Sequence, residues 1–118
     1  SKGSHDSDNP ADSGGRMRDM RQIALPILES GGVDLVLTGH SHSYERSMLI
    51  DGHYGASSTF NPATMAIDAG DGDPNGDGAY RKSAGLHPHE GAVQVVTGNG
   101  GTGLRRKGTM PVMRRIRP

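Results

Sequence analysis

The sequence predicts an α/β fold on three observations: an amphipathic helical stretch, an apolar run that follows it across two glycines, and a later alternating strand. Residues 1–15, SKGSHDSDNPADSGG, are polar, carry Pro10 and read as loop. From Arg16 to Ser30, Met17, Met20, Ala24, Ile27 and Leu28 recur at helical spacing. Arg16, Arg18, Asp19, Arg21 and Glu29 lie mostly elsewhere around the wheel. Asp12 or Ser13 is placed to cap this helix and Gly31-Gly32 to end it. Pro26 deletes one backbone hydrogen bond and should kink the last turn.

Residues 33–47 then hold a strand plus a G-H-x-H loop. Val33 to Leu37 is almost wholly apolar and suits a central parallel strand covered on both faces, the second half of a βαβ unit whose first strand should precede Ser1. Met48 to Ile50 predicts a short strand, Asp51-Gly52 a turn, 55–64 a loop and Met65 to Ile67 another short strand. Residues 68–91 form a Gly/Asp-rich loop longer than ordinary connections. Residues 92–103 supply a strand and turn, with Ala92 to Thr97 alternating around Val93, Val95 and Val96.

Composition narrows the class. Of 118 residues, 31% are hydrophobic and 3% aromatic, with no Trp, one Phe and 19 Gly. So few large apolar side chains make an autonomous core marginal, and residues 1–118 read as the C-terminal portion of a single domain. Without Cys, a disulfide framework and a thiolate metal site are excluded, and a metal would rest on His and carboxylates. No apolar run reaches the length of a membrane span or a signal-peptide core, so no membrane partner is expected. The net charge is zero, yet six basic residues, Arg105, Arg106, Lys107, Arg114, Arg115 and Arg117, follow the last acidic one, Glu90. No aromatic residue interleaves with them, so a solvated terminus or an edge is expected, with nucleic-acid binding as the alternative.

The richest stretch is GHSHSYERS, residues 39–47. His40 follows Gly39 at the C-terminal end of a predicted parallel strand, where open α/β sheets place their ligands. Imidazoles at i and i+2 project to different sides, which suits two metals about 3.5–4 Å apart. A second pair, His87 and His89, flanks Pro88 in a loop and reads as structural. Asp71-x-Asp73-x-Asn75-Gly76 matches the first half of a calcium loop, but Lys82 stands where the bidentate Glu belongs. That segment reads as a surface loop, with a calcium-binding module as the alternative. Gly98 to Gly103 satisfies G-x-G-x-x-G, yet too few residues follow, none acidic, for a dinucleotide fold.

GHSHSYERS resembles the C-terminal signature of the calcineurin-like metallophosphoesterases, and its YER continuation resembles the purple acid phosphatase branch. Residues 1–47 as a whole, and AVQVVTGNGG at 92–101, are similar to parts of the same domain; 104–118 match poorly. The resemblance implies the C-terminal part of a two-sheet α/β sandwich that hydrolyses phosphate monoesters at a dinuclear metal centre, in a secreted or periplasmic setting. It implies that His40 binds one metal and His42 the other, the pair being iron with zinc, manganese or iron. It makes His5 the group that stabilises the phosphoryl oxygens or protonates the leaving alcohol. Tyr44, Glu45 and Arg46 would brace the metal loop. The family's Asp-x-His, Gly-Asp-x-x-Asp and Gly-Asn-His motifs do not precede Gly39 here. The other ligands are therefore expected in a missing N-terminal half, and turnover by this chain alone is expected to be negligible.

Overall fold

A computed structural model describes residues 1–105 and 108–117, with the side chains of 114–117 excepted. Arg106, Lys107 and the side chains of Arg114, Arg115 and Arg117, most of the basic tail, thus lie outside the described residues.

Helical backbone runs unbroken through the stretch that the apolar spacing marks, as α1 (Arg16–Asp19), one turn of π-helix (Met20–Ala24) and α2 (Leu25–Ser30). The wide turn is how the helix accommodates Pro26. Proline has no N–H for the carbonyl four residues back, and just before it the Leu25 N–H reaches Met20 O instead. The expected kink is absorbed there as an extra residue in one turn. That residue also shifts the inward face. Leu25, Leu28 and Glu29 turn in, while Ile27 and Met20, expected inside, are 65% and 59% exposed. Neither Asp12 nor Ser13 caps the helix, because Gly15 at φ 84° holds that position after a 3-10 turn (Asp12–Gly15). At the other end Gly31 N–H bonds Ile27 O at 3.0 Å, Val33 N–H bonds Leu28 O at 3.1 Å, and Gly32 takes φ 75°, as the paired glycines predict.

Five strands make one mixed sheet: β1 (Leu35–Thr38), β2 (Tyr44–Ile50), β3 (Ala66–Asp68), β4 (Ala92–Thr97) and β5 (Met113–Arg117). β4 pairs parallel with β1, Leu35 opposite Val93 through Thr38 opposite Val96, and antiparallel with β2. The far side of β2 carries β3 beside Leu49 and Ile50, and β5 beside Tyr44 to Ser47. The fold is a mixed α/β domain, and the described residues hold one sheet rather than the two of the expected sandwich.

Five expectations change. The apolar run suits a central strand, but among the described residues β1 pairs with β4 alone, and Leu35 and Leu37 are 50% and 63% exposed. β2 starts at Tyr44 rather than Met48, so Tyr44, Glu45 and Arg46 are strand residues rather than loop. Their polar side chains hide the strand because Ser1 and Lys2, distant in sequence, satisfy Glu45. β3 lies one residue later than expected, and α3 (Pro62–Met65) occupies part of the expected 55–64 loop. β5 lies in the basic tail, where charge masks any strand alternation. Residues 69–91 hold no helix or strand, as their composition predicts. No helix among the described residues is long and apolar enough to cross a membrane.

The core is small: Met48, Ile50, Met110 and Val112 cluster with Phe60, Ala66 and Met113 around them. A polar clamp supplements it. Glu29, 2% exposed, accepts from the Gly52 N–H at 2.9 Å and from the Tyr54 hydroxyl, while its backbone carbonyl accepts from the His89 N–H at 3.1 Å. Burial outweighs those donors and, with Asp51 nearby, raises the Glu29 pKa above the usual carboxylate range. A folded-state pKa raised in this way gives stability that is full below about pH 4.5 and lost as pH rises through the shifted value. The stability of the wild type relative to Glu29→Gln should therefore fall as pH rises above about 4.5 in urea melts. A pH-independent difference would show that the carboxyl is not protonated in the fold.

Candidate functional site

The site forms at the end of the sheet where β1 and β4, running parallel, finish side by side. The chain leaves β1 through Gly39 and crosses to β2 by His40, Ser41, His42 and Ser43. The positive-φ turn falls at His40, φ 66°, and not at the adjacent Gly39. A non-glycine residue held there costs on the order of 1–3 kcal/mol and persists only where its surroundings impose it. The loop is clamped from two directions. From the N-terminal segment, Ser4 Oγ accepts the His42 N–H at 3.0 Å and Ser41 Oγ accepts the His5 N–H at 3.3 Å. From the turn after β4, Gly98 N–H bonds Ser43 O at 3.1 Å and Arg105 N–H bonds His42 O at 2.7 Å.

The clamp brings His5 onto His40. Their rings stack nearly parallel, centroids 4.1 Å apart and planes 15° from each other. Asp12 and Ser13 hold the pair. His5 Nδ1 lies 2.8 Å from Asp12 Oδ1, Ser13 Oγ lies 2.9 Å from the same oxygen, and His40 Nε2 lies 2.8 Å from Ser13 Oγ. The Asp6 N–H, then His5 and Ser13, hold the Asp12 carboxyl well below the usual carboxylate range.

An ionised carboxylate only accepts, which fixes the protons around it. His5 carries its proton on Nδ1, leaving Nε2 as the nitrogen that can meet a substrate. Ser13 gives its single proton to Asp12 and therefore accepts from His40 Nε2–H. His40 is then the tautomer whose Nδ1 bears the lone pair. Metal-bound histidines are commonly oriented in this way, the second nitrogen donating to a polar relay.

The remaining predicted residues are placed differently. The half-buried His42 ring takes no part in the stack or its hydrogen bonds. Glu45 is fully buried beneath the N-terminal segment, accepting from Ser1 Oγ at 2.7 Å, Lys2 N–H at 2.9 Å and Ser43 Oγ at 2.7 Å. It braces the histidine loop through Ser43. Arg46 donates to Asp71 O and ties β2 to the Gly/Asp-rich loop. Tyr44 sits half-buried at the start of β2, between Thr97 and Arg117.

The other motifs take structural roles. His89 Nδ1 lies 3.1 Å from Asp51, and His87 Nε2 lies 2.9 Å from Ala84 O. Asp71, Asp73 and Asp77 turn their carboxylates onto amides of their own loop, while Lys82 pairs with Asp34 at 2.5 Å. A turn, not a helix, follows β4, so G-x-G-x-x-G does not open a dinucleotide site. Asp51-Gly52-His53 has the letters of Asp-x-His but lies after the signature, with His53 buried against Phe60.

Among the described residues no three His, Asp or Glu side chains converge as a metal-holding group. A metal centre keeps at least three protein donors, so these residues do not complete either site of a dinuclear pair. Sequence reasoning considered Asp12 and Ser13 only as helix caps; no spacing signals a bond between residues 13 and 40. Compared with family models, curated proteins and solved structures, the chain matches none.

Proposed function

We propose that the chain supplies one part of a phosphoesterase centre that hydrolyses phosphate monoesters. His40 and His42 each donate to one ion of a dinuclear pair, iron with zinc, manganese or iron, and His5 serves the phosphoryl group. The N-terminal half of the domain brings the remaining ligands and the second sheet. The observation that carries this reading is the relay from Asp12 through Ser13 to His40, which leaves the His40 Nδ1 as a donor at a sheet end. The exposed apolar side chains of β1 support a further layer of polypeptide beside it. When bound, such ions activate water and neutralise phosphoryl charge.

This chain's own contribution is positional. His5, fixed by Asp12, holds a proton toward a developing oxyanion from its Nε2 once protonated. The stack with His40 keeps that imidazole beside the metal-binding ring.

Calorimetry with zinc tests the ligand assignment. With the ligand set incomplete, zinc binding to this chain should be weak; His40→Ala and His42→Ala should each lower it further, and Ser13→Ala should lower it about tenfold by freeing the His40 ring. Zinc binding unchanged in the His40→Ala/His42→Ala double variant would sink the reading. Alone, the chain should not hydrolyse p-nitrophenyl phosphate at an enzymatic rate.

A further inference from the structure

A cavity of about 510 Å³ separates the helical stretch from the sheet and opens beside the histidine stack. Met17 and Leu28 line its helical wall, Val36 and Val96 its sheet wall, and Met110 and Val112 contribute further apolar surface. Ser13, Arg16 and His40 lie on the same lining, so the apolar space and the candidate site share a rim. Its volume falls in the roughly 300–1,000 Å³ range of small-molecule sites. Protein interiors rarely leave voids larger than a water molecule, and an apolar lining offers water no partners. The space therefore favours an apolar occupant, and methionines adapt their shape to one.

The charges say what kind of occupant. Arg16 is an exposed cation on the lining, which it shares with His40, the ring on which His5 stacks. Asp8, also on the lining, is held by Lys2 at 3.1 Å and lies 3.7 Å from Arg21. We propose that the cavity binds the hydrocarbon chain of an alkyl phosphate whose head group rests at Arg16 on the rim, the side that also carries His40. This rests on the phosphoesterase reading and names its substrate class: a monoester with a long apolar alcohol. The apolar lining comes from both the helical stretch and the sheet, so the occupant is a monomeric ester held between them rather than a phosphate at a bilayer surface.

The test is a binding series on the full chain with inorganic phosphate and ethyl, butyl, hexyl and octyl phosphate below micelle formation. Affinity should rise roughly three- to fourfold per added methylene until the cavity fills. Arg16→Gln should lower every affinity by a similar factor without changing that slope. Leu28→Trp, and independently Val36→Phe, should abolish the slope while phosphate binding persists. Equal affinity along the series would overturn the cavity assignment and leave the phosphoesterase reading standing. No binding of any member, phosphate included, would overturn both. Affinities untouched by Arg16→Gln, or binding to phosphatidic acid vesicles without binding to the monomeric esters, would also overturn it.

Discussion

Glu45→Ala should cost the chain on the order of 3 kcal/mol or more and release its N-terminal segment. The side chain is fully buried and accepts from two hydroxyls and one backbone amide. Hydrogen bonds to a charged acceptor contribute about 1.5–3 kcal/mol each, and truncation leaves their donors buried and unsatisfied. A domain stable by about 5–15 kcal/mol, here with a small core, has little margin for that loss. Glu45→Gln keeps the shape and one acceptor oxygen, so its urea midpoint should fall between those of wild type and the alanine variant. Hydrogen exchange should show residues 2–12 losing protection first, because Glu45 anchors Ser1 and Lys2 directly. An alanine variant within about 1 kcal/mol of wild type would mean that this carboxylate does not hold the segment.

Gly98→Ala should be comparably severe, through steric contact. A β-carbon at this position would sit 1.9 Å from the Ser41 carbonyl oxygen and 2.7 Å from its carbon, both backbone atoms that cannot rotate away. The two loops must separate, breaking the bonds from Gly98 N–H to Ser43 O and from Arg105 N–H to His42 O. Overpacking of this kind costs about 1–3 kcal/mol, and the lost hydrogen bonds add to it. The displaced loop is the one carrying His40 and His42, so zinc affinity should fall at least about tenfold. Gly100→Ala is the internal control: nothing lies within 4 Å of its built β-carbon. Melting curves and amide spectra should shift strongly for the first variant and barely for the second. Similar effects of the two would discredit the close approach of the loops.

What could be read from the sequence depended on how local its cause is. The helical stretch and β4 follow from periodicity within a single segment, and their limits match the spacing and the paired glycines. The apolar run does become β1, but periodicity says nothing about which neighbours a strand finds, and β1 stands at an edge. β5 and the first half of β2 escape notice because arginines and a glutamate look solvated until long-range partners are known. The site divides in the same way. His40 is marked by its place after an apolar run, and His5 only by the family resemblance. The bond from Ser13 to His40 joins residues 27 apart with no motif between them. The positive φ of His40 is likewise a product of its clamps, which no local pattern announces.

The widened turn at Met20–Ala24 makes the aim of α2 depend on residue count as well as residue identity. Removing one residue there would rotate everything downstream by about 100°, carrying Glu29 away from Gly52 and Tyr54 and swinging Ile27 toward the interior. Side-chain exchanges on the outer surface of this stretch leave that phase untouched. In this stretch, single-residue gaps are the changes that selection should remove first.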